Sequence, residues 1–370
     1  MGASGTVATA VARCSGSRTL TVGVEEEFLL LDRADGRPAL SAPAVLALLG
    51  GDPHIKAEAM RYQLETVTGV CTDLEQLAEE LTRHRLLASR SAEELGCHLV
   101  ASGIVPRHTP GLSALTADAR YEELAARHGL VAGTGTCGCH VHVGMPSREL
   151  GVQVLTRLRP FLATLLALSA NSPIAGGVDT GWASRRHRQW SRWPTAVPPG
   201  AWRSAADYDA AVCQLIRCGR AMDERSVYFH ARLSPRYPTV ELRVMDTCLS
   251  VEDAVLLAAM ARALVCLAIA DVARGVPIKT LSDRQVVAEL NAAARHGLDA
   301  LAVDPYTSRA MPHRALLELL LPRLPEPEPI ALLIHRLDGR GTGAARQRTM
   351  WSQAGTPPRF AQLLAGATLR

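Results

Sequence analysis

The stretch Thr19–Asp32, TLTVGVEEEFLLLD, sets three consecutive carboxylates inside an otherwise apolar run. In a β-strand, successive side chains point to opposite faces. Thr21, Gly23, Glu25, Glu27, Leu29 and Leu31 then share one face, and Leu20, Val22, Val24, Glu26, Phe28 and Leu30 share the other. The second face is apolar except at Glu26 and reads as the core side. The first face places Glu25 and Glu27 about 7 Å apart at Cα, one pleat repeat. Like charges this close repel unless something positive sits between them. A hard divalent cation such as Mg²⁺ is the natural candidate; a solvated strand end is the plainer reading of this stretch taken alone.

Three later stretches repeat the pattern. In Arg61–Cys71, Arg61, Gln63, Glu65 and Val67 share a face opposite Tyr62, Leu64 and Thr66. In Thr136–Gly144, Gly138, His140 and His142 oppose Cys137, Cys139, Val141 and Val143. Thiols and imidazoles pointing oppositely argue against zinc, whose structural spacings are also wider. Phosphate or metal contact by the His-x-His pair, and a structural role for one imidazole, both stay open. In Thr239–Asp246, which reads as paired with Val227–Leu233, Glu241, Arg243 and Met245 share a face. Glu241 and Arg243 either pair with each other or divide, carboxylate to metal and guanidinium to a substrate anion. Antiparallel sheets commonly bury one face and leave the other open. Four such strands side by side make a concave surface of carboxylates, imidazoles and arginine. That suits multi-metal phosphoryl transfer better than a hydrolase triad. There is no Walker A motif, so ATP would be held without a P-loop.

The rest of the chain sets limits. At 370 residues it can bury one large core or two ordinary ones. A net charge of +4 is too mild to argue for nucleic acid. Only Lys56 and Lys279 are lysines, so the basic side is arginine, which grips carboxylate and phosphate bidentately; base-composition bias explains the same excess. The nine scattered cysteines read as reduced cytosolic thiols. Met1–Arg18 lacks a signal-peptide core, and its Gly2/Thr6 match to an acylation pattern is weaker than the reading of a frayed terminus. Val255–Ala270 is apolar but short for a membrane span and broken by Arg262. Ser250 with Asp253 resembles a capping box and Gly275 a stop, so a core helix is expected. Further helices are expected from Thr72, with Glu75 completing a capping box, and over Glu149–Ala170. Ile174–Gly200 reads as irregular. Trp182, Trp190 and Trp193 argue against disorder, and Arg185, Arg186, Arg188 and Arg192 make it a wall against an anion or a solvated loop.

GVEEE at 23–27, QLETVTGVC at 63–71, CHVHVG at 139–144, LSANSP at 168–173, DTGWASRR at 179–186 and ELRVMDT at 241–247 together resemble the carboxylate–amine ligases of the glutamate–cysteine ligase type 2 group. The resemblance runs in order across residues 19–300. It implies an α+β fold, a curved antiparallel sheet with flanking helices akin to the catalytic domain of glutamine synthetase. A flexible 1–18 would precede one catalytic domain over 19–370, helical from about 280. It also implies ATP, Mg²⁺, small carboxylate and amine substrates and often a homodimer; the cysteines, the mild charge and the short, broken apolar segment set the further expectation of a cytoplasmic protein with no nucleic-acid or membrane partner. Carried over by position, Glu25, Glu27, Glu65 and Glu241 hold metal, and His140, His142 and Arg186 meet the nucleotide. Arg186, Arg232 and Arg243 are the catalytic arginines. Glu26 faces the apolar side and is left out. Glu289-Leu290-Asn291-Ala292 departs from relatives, which bears on the choice of substrate. Glutamate plus cysteine is the default pair. A metal-dependent amidase on the same fold is the alternative, and a metabolite sensor is disfavoured because every carboxylate of the set is present.

Overall fold

The computed structural model describes residues 20–370; the expected loose segment 1–18 lies outside them. Seven strands form one antiparallel sheet: β1 (Val22–Asp32), β2 (Ile55–Ala57), β3 (Gln63–Val67), β4 (Cys97–Val100), β5 (Gly138–Gly144), β6 (Ala231–Leu233) and β7 (Thr239–Asp246). The order is β2-β3-β1-β5-β7-β6, with β4 pairing the second half of β1. The four strands that share the charged-face pattern are therefore consecutive neighbours. Their register sets Glu27 opposite Glu65, Glu25 opposite His140 and His142 opposite Glu241.

One face of the sheet is closed by helices. Val22, Val24, Val141, Val143 and Leu242 are buried in one core with the helices α1 (Leu74–Glu94), α2 (Arg148–Leu158), α3 (Leu162–Ser169) and, farther on, Val251–Arg274. Val251–Arg274 has the apolar length of a membrane span, but 89% of its most apolar window is buried inside the protein. Ser250 and Asp253 do form its capping box, and Gly275 ends it in the left-handed conformation. Glu26 lies on this core side, fully buried. Arg85 of α1 answers its charge, with Nε 2.9 Å from Glu26 Oε2.

Several boundaries differ from expectation, each for a local reason. Asp73, not Thr72, caps α1, its carboxylate accepting from the Gln76 amide at 2.8 Å. The segment expected as one helix over Glu149–Ala170 turns 3₁₀ at Arg159–Phe161, because Pro160 has no N–H to give. The stretch after Ile174 is less irregular than expected. It holds a pair of two-residue strands and the helix α4 (Arg185–Trp190), capped by Ser184. In β7 the expected face breaks down beyond Arg243. The β5–β7 register shifts between Cys139 and Val141, with two β7 residues, Arg243 and Val244, set against His140. This bulge sends Met245 into the main core instead of leaving it beside Glu241, and aims Asp246 the other way.

On the opposite face, β1 is covered only in its second half. Leu29 and Leu31 pack under the helix α5 (Pro357–Thr368), against Phe360 and Leu364. The first half, bearing Glu25 and Glu27, remains open.

Candidate active site

Carboxylates from four segments meet over the open half of the sheet in two groups. Glu25, His142 and Glu241 form one; Glu27, Glu58 and Glu65 form the other. Within each group the potential ligand atoms lie within 4.8 Å of one another. Glu58 was not foreseen. It follows β2, a three-residue strand that left no periodicity in the sequence, and only the pairing of β2 with β3 brings it beside Glu65. No cysteine joins either group among the described residues; Cys139 faces the core.

The two groups differ electrostatically. Burial, reinforced by the Glu27 charge, pushes the Glu58 carboxyl up to about 8. Burial and then the charges of Glu25, Glu58 and Glu27 raise Glu65 well above the usual range, with Lys56 alone opposing. This is the crowding that a bound cation relieves. Burial also acts on Glu25, but hydrogen bonding with His140 and His142 outweighs it and holds the carboxylate well below the ordinary value. Glu241 is likewise held low, since Arg243 and Arg232 outweigh its burial.

The imidazoles and arginines knit the groups together. His140 Nδ1 is 3.4 Å from Glu25 Oε2, and its Nε2, 3.8 Å from Glu27 Oε1, has no hydrogen-bond partner. His142 Nδ1 bonds the Thr239 hydroxyl at 2.9 Å, leaving Nε2 unpartnered 3.4 Å from Glu25. Burial and then the Arg243 charge depress His140, which favours a neutral ring. Arg232 holds Glu241 with two bonds, at 2.8 and 3.1 Å, and Arg243 bonds the same carboxylate. Glu241 and Arg243 are thus paired in this state rather than divided. Gly138 donates its amide to Glu27 at 2.7 Å. It must lack a side chain, because a Cβ there would stand 2.3 Å from Arg186 Nη2 and 3.0 Å from His140 Nε2.

Two cavities meet at Glu25. One, of about 620 Å³, is mainly apolar and is lined by Val22, Val67, Val70, Met145, Pro238 and the ring of Tyr237, with His142 and Glu25 at its inner end. The other, of about 140 Å³, holds Glu25, Glu27, Glu58, Glu65, His140 and Arg243 under an aromatic roof of Tyr121, Trp190, Trp193 and Tyr228. Trp190 and Trp193 pack on Tyr228 with ring centroids 5.0 and 5.1 Å away. The tryptophan-rich segment does wall the site, but with rings: Arg188 and Arg192 are exposed to solvent.

The glutamate–cysteine ligase family 2 model matches residues 21–330, a span that contains every strand of the sheet. A Rhodococcus jostii (strain RHA1) protein provisionally named glutamate–cysteine ligase 2-1 is 41% identical over 363 residues, covering 94% of this chain and 96% of that one. A Frankia alni protein of the same provisional kind, 2-2, is 42% identical over 359 residues, covering 90% and 93%.

The chain belongs to glutamate–cysteine ligase family 2.

Solved structures agree on the fold. Francisella tularensis glutamate–cysteine ligase in complex with AMP superposes with a TM-score of 0.69 at 14% identity, over 94% of this chain and 88% of that one. A bifunctional glutathione synthetase from Pasteurella multocida superposes at 0.71 with 17% identity, over 98% of this chain and 53% of that one. The family 2 chain is thus a ligase with the open antiparallel sheet and flanking helices of glutamate–cysteine ligase. Within it, the expected site residues Glu25, Glu27, Glu65, Glu241, His140, His142 and Arg243 converge on the two cavities or the clusters between them. Arg186 and Arg232 line neither cavity. Arg186 lies under Trp190 and Arg232 behind Glu241. Sequence reasoning missed Glu58 and the roof tyrosines Tyr121 and Tyr228.

Proposed function

We propose that the chain is an ATP-dependent carboxylate–amine ligase working as a single catalytic domain, with glutamate and cysteine as the default acid and amine. The observation that carries this reading is the pair of carboxylate groups, one lining the smaller of two cavities of different character and the other at their junction. The larger, apolar cavity suits a purine and ribose. The smaller, with its charged floor and ring roof, suits an amino acid. Glu25, His142 and Glu241 would hold one Mg²⁺ and Glu27, Glu58 and Glu65 another. The oxygen-rich donor sets and the like-charge crowding of Glu58 and Glu65 fit a hard cation. When bound, Mg²⁺ neutralises phosphate charge in flight.

The chain's own residues then position the reactants. Arg243 meets the transferring phosphate or the substrate carboxylate, and Arg232 and Arg186 hold Glu241 and the β7 backbone in place. An acid carboxylate attacks the γ-phosphate in line and releases ADP. The amine displaces phosphate from the acyl phosphate and loses a proton to form the amide. Positioning and charge neutralisation are the protein's share of the barrier reduction. The roof shields the acyl phosphate from water. A cytoplasmic homodimer is part of the same proposal, the location on the scattered cysteines and the dimer on the resemblance alone.

The test is ADP release across a panel of acids and amines, with and without Mg²⁺. The ligase reading requires ADP formation that depends on both an acid and an amine. Amide cleavage without nucleotide consumption would replace it with a metal-dependent amidase.

A further inference from the structure

Asp246 ends β7 just past the bulge, and its carboxylate is fully buried. It accepts hydrogen bonds from the Asn171 amide at 3.0 Å and from the Ser172 and Ser184 hydroxyls at 2.6 and 2.7 Å, and it lies 3.9 Å from Arg186 Nη1. Both hydroxyls also touch the start of α4. Ser172 Oγ accepts from the Arg186 amide at 3.0 Å, and Ser184 Oγ accepts from the His187 amide at 3.1 Å. One carboxylate, through two serines, therefore fixes the helix turn that carries Arg186. Gly103 makes room for it, since a Cβ there would stand 2.9 Å from the Asp246 carboxyl carbon.

The Arg186 guanidinium in turn donates to the carbonyls of Val244 and Arg243, at 3.3 and 3.4 Å. These are the two bulge residues. A bulge interrupts the ladder, and its buried carbonyls need other donors. Arg186 supplies them from the open side of the sheet. The conformation it stabilises is the one that turns Arg243 toward the smaller cavity.

We propose that Asp246 is a positioning residue of this ligase: it holds Arg186 against the β7 bulge and so sets the direction of Arg243, without touching substrate. The proposal rests on reading Arg243 as the group that meets phosphate or substrate carboxylate. Asp246→Asn is expected to lower kcat for ADP release by about 10- to 100-fold, the cost of a misplaced catalytic group. The KM for ATP should change by less than about 3-fold, because the larger cavity touches none of these residues. Added to Arg186→Gln, it should slow turnover no further, as expected for residues acting as one unit. Unchanged kcat in the single variant, or multiplied losses in the double variant, would overturn the proposal. If Asp246→Asn does not fold, Ser184→Ala removes one arm of the tie and should show the same split at smaller size; an unaffected kcat there also overturns it. A crystal structure of either variant decides without turnover. Arg186 released from the carbonyls of Arg243 and Val244 supports the lock, and Arg186 in place refutes it, even if no acid–amine pair yields ADP and the ligase reading itself fails.

Discussion

Glu58 reaches the site from the loop that follows β2, and its place with Glu27 and Glu65 gives it a sharper role than its sequence context suggests. Glu58→Gln keeps the shape and removes one charge from that group. The Mg²⁺ concentration needed for half-maximal ADP release is expected to rise by about 10-fold or more, as for other losses around a metal site. An unaltered Mg²⁺ requirement would remove Glu58 from the cation site. A second residue-level case lies on the core side. Arg85 neutralises Glu26 and also donates to the carbonyls of Thr368 and Cys248, at 2.8 and 3.0 Å. Arg85→Ala would leave a fully buried carboxylate unpaired, a loss of about 3–5 kcal/mol. Urea unfolding should show it as a lower midpoint, and replacing both partners by apolar residues should recover much of it.

Among the elements, α5 is a C-terminal helix with a core function. Its Phe360 and Leu364 cover Leu29 and Leu31, its Thr368 hydroxyl accepts from the Ala101 amide at 2.9 Å, and its Thr368 carbonyl receives Arg85. Deleting residues 357–370 would expose Leu29 and Leu31 and strip Arg85 of an acceptor. The truncated chain is expected to lose cooperative thermal unfolding and to bind a hydrophobic dye; a sharp transition near the full-length Tm would show that α5 is dispensable. How such elements read from sequence depended on how local their causes are. Ser250 with Asp253 and Gly275 mark Val251–Arg274 correctly, because capping is decided within a few residues. The β7 bulge was invisible, because it arises from pairing with β5 and not from any residue type in VELRVMD. β2 was invisible because three residues carry no period.

At the scale of the whole molecule, the crowded carboxylates link stability, protons and cations. Glu58 titrates near 8 in the fold against an ordinary 4.5, and Glu65 is raised as well. A raised carboxyl contributes stability that is fully present below its unfolded pKa and is lost as pH rises through the folded one. Without Mg²⁺, this contribution should therefore weaken between pH 4.5 and about 8, lowering the Tm across that window relative to Glu58→Gln. Mg²⁺ should restore the Tm most strongly near pH 8 and release protons on binding, measurable by calorimetry in buffers of different ionisation enthalpy. A Tm difference from Glu58→Gln that stays flat across the window would refute the coupling. The alternation of charge and apolar side chains along β1, β3, β5 and β7 by itself determined which residues could share a surface, since strand period is a local property of the backbone. Which strands became neighbours, how the carboxylates sorted into two groups, and which arginine faced a cavity were decided only by tertiary structure. Those outcomes depend on pairings between residues 34 to 121 positions apart, where register and packing, not local preference, select the partner.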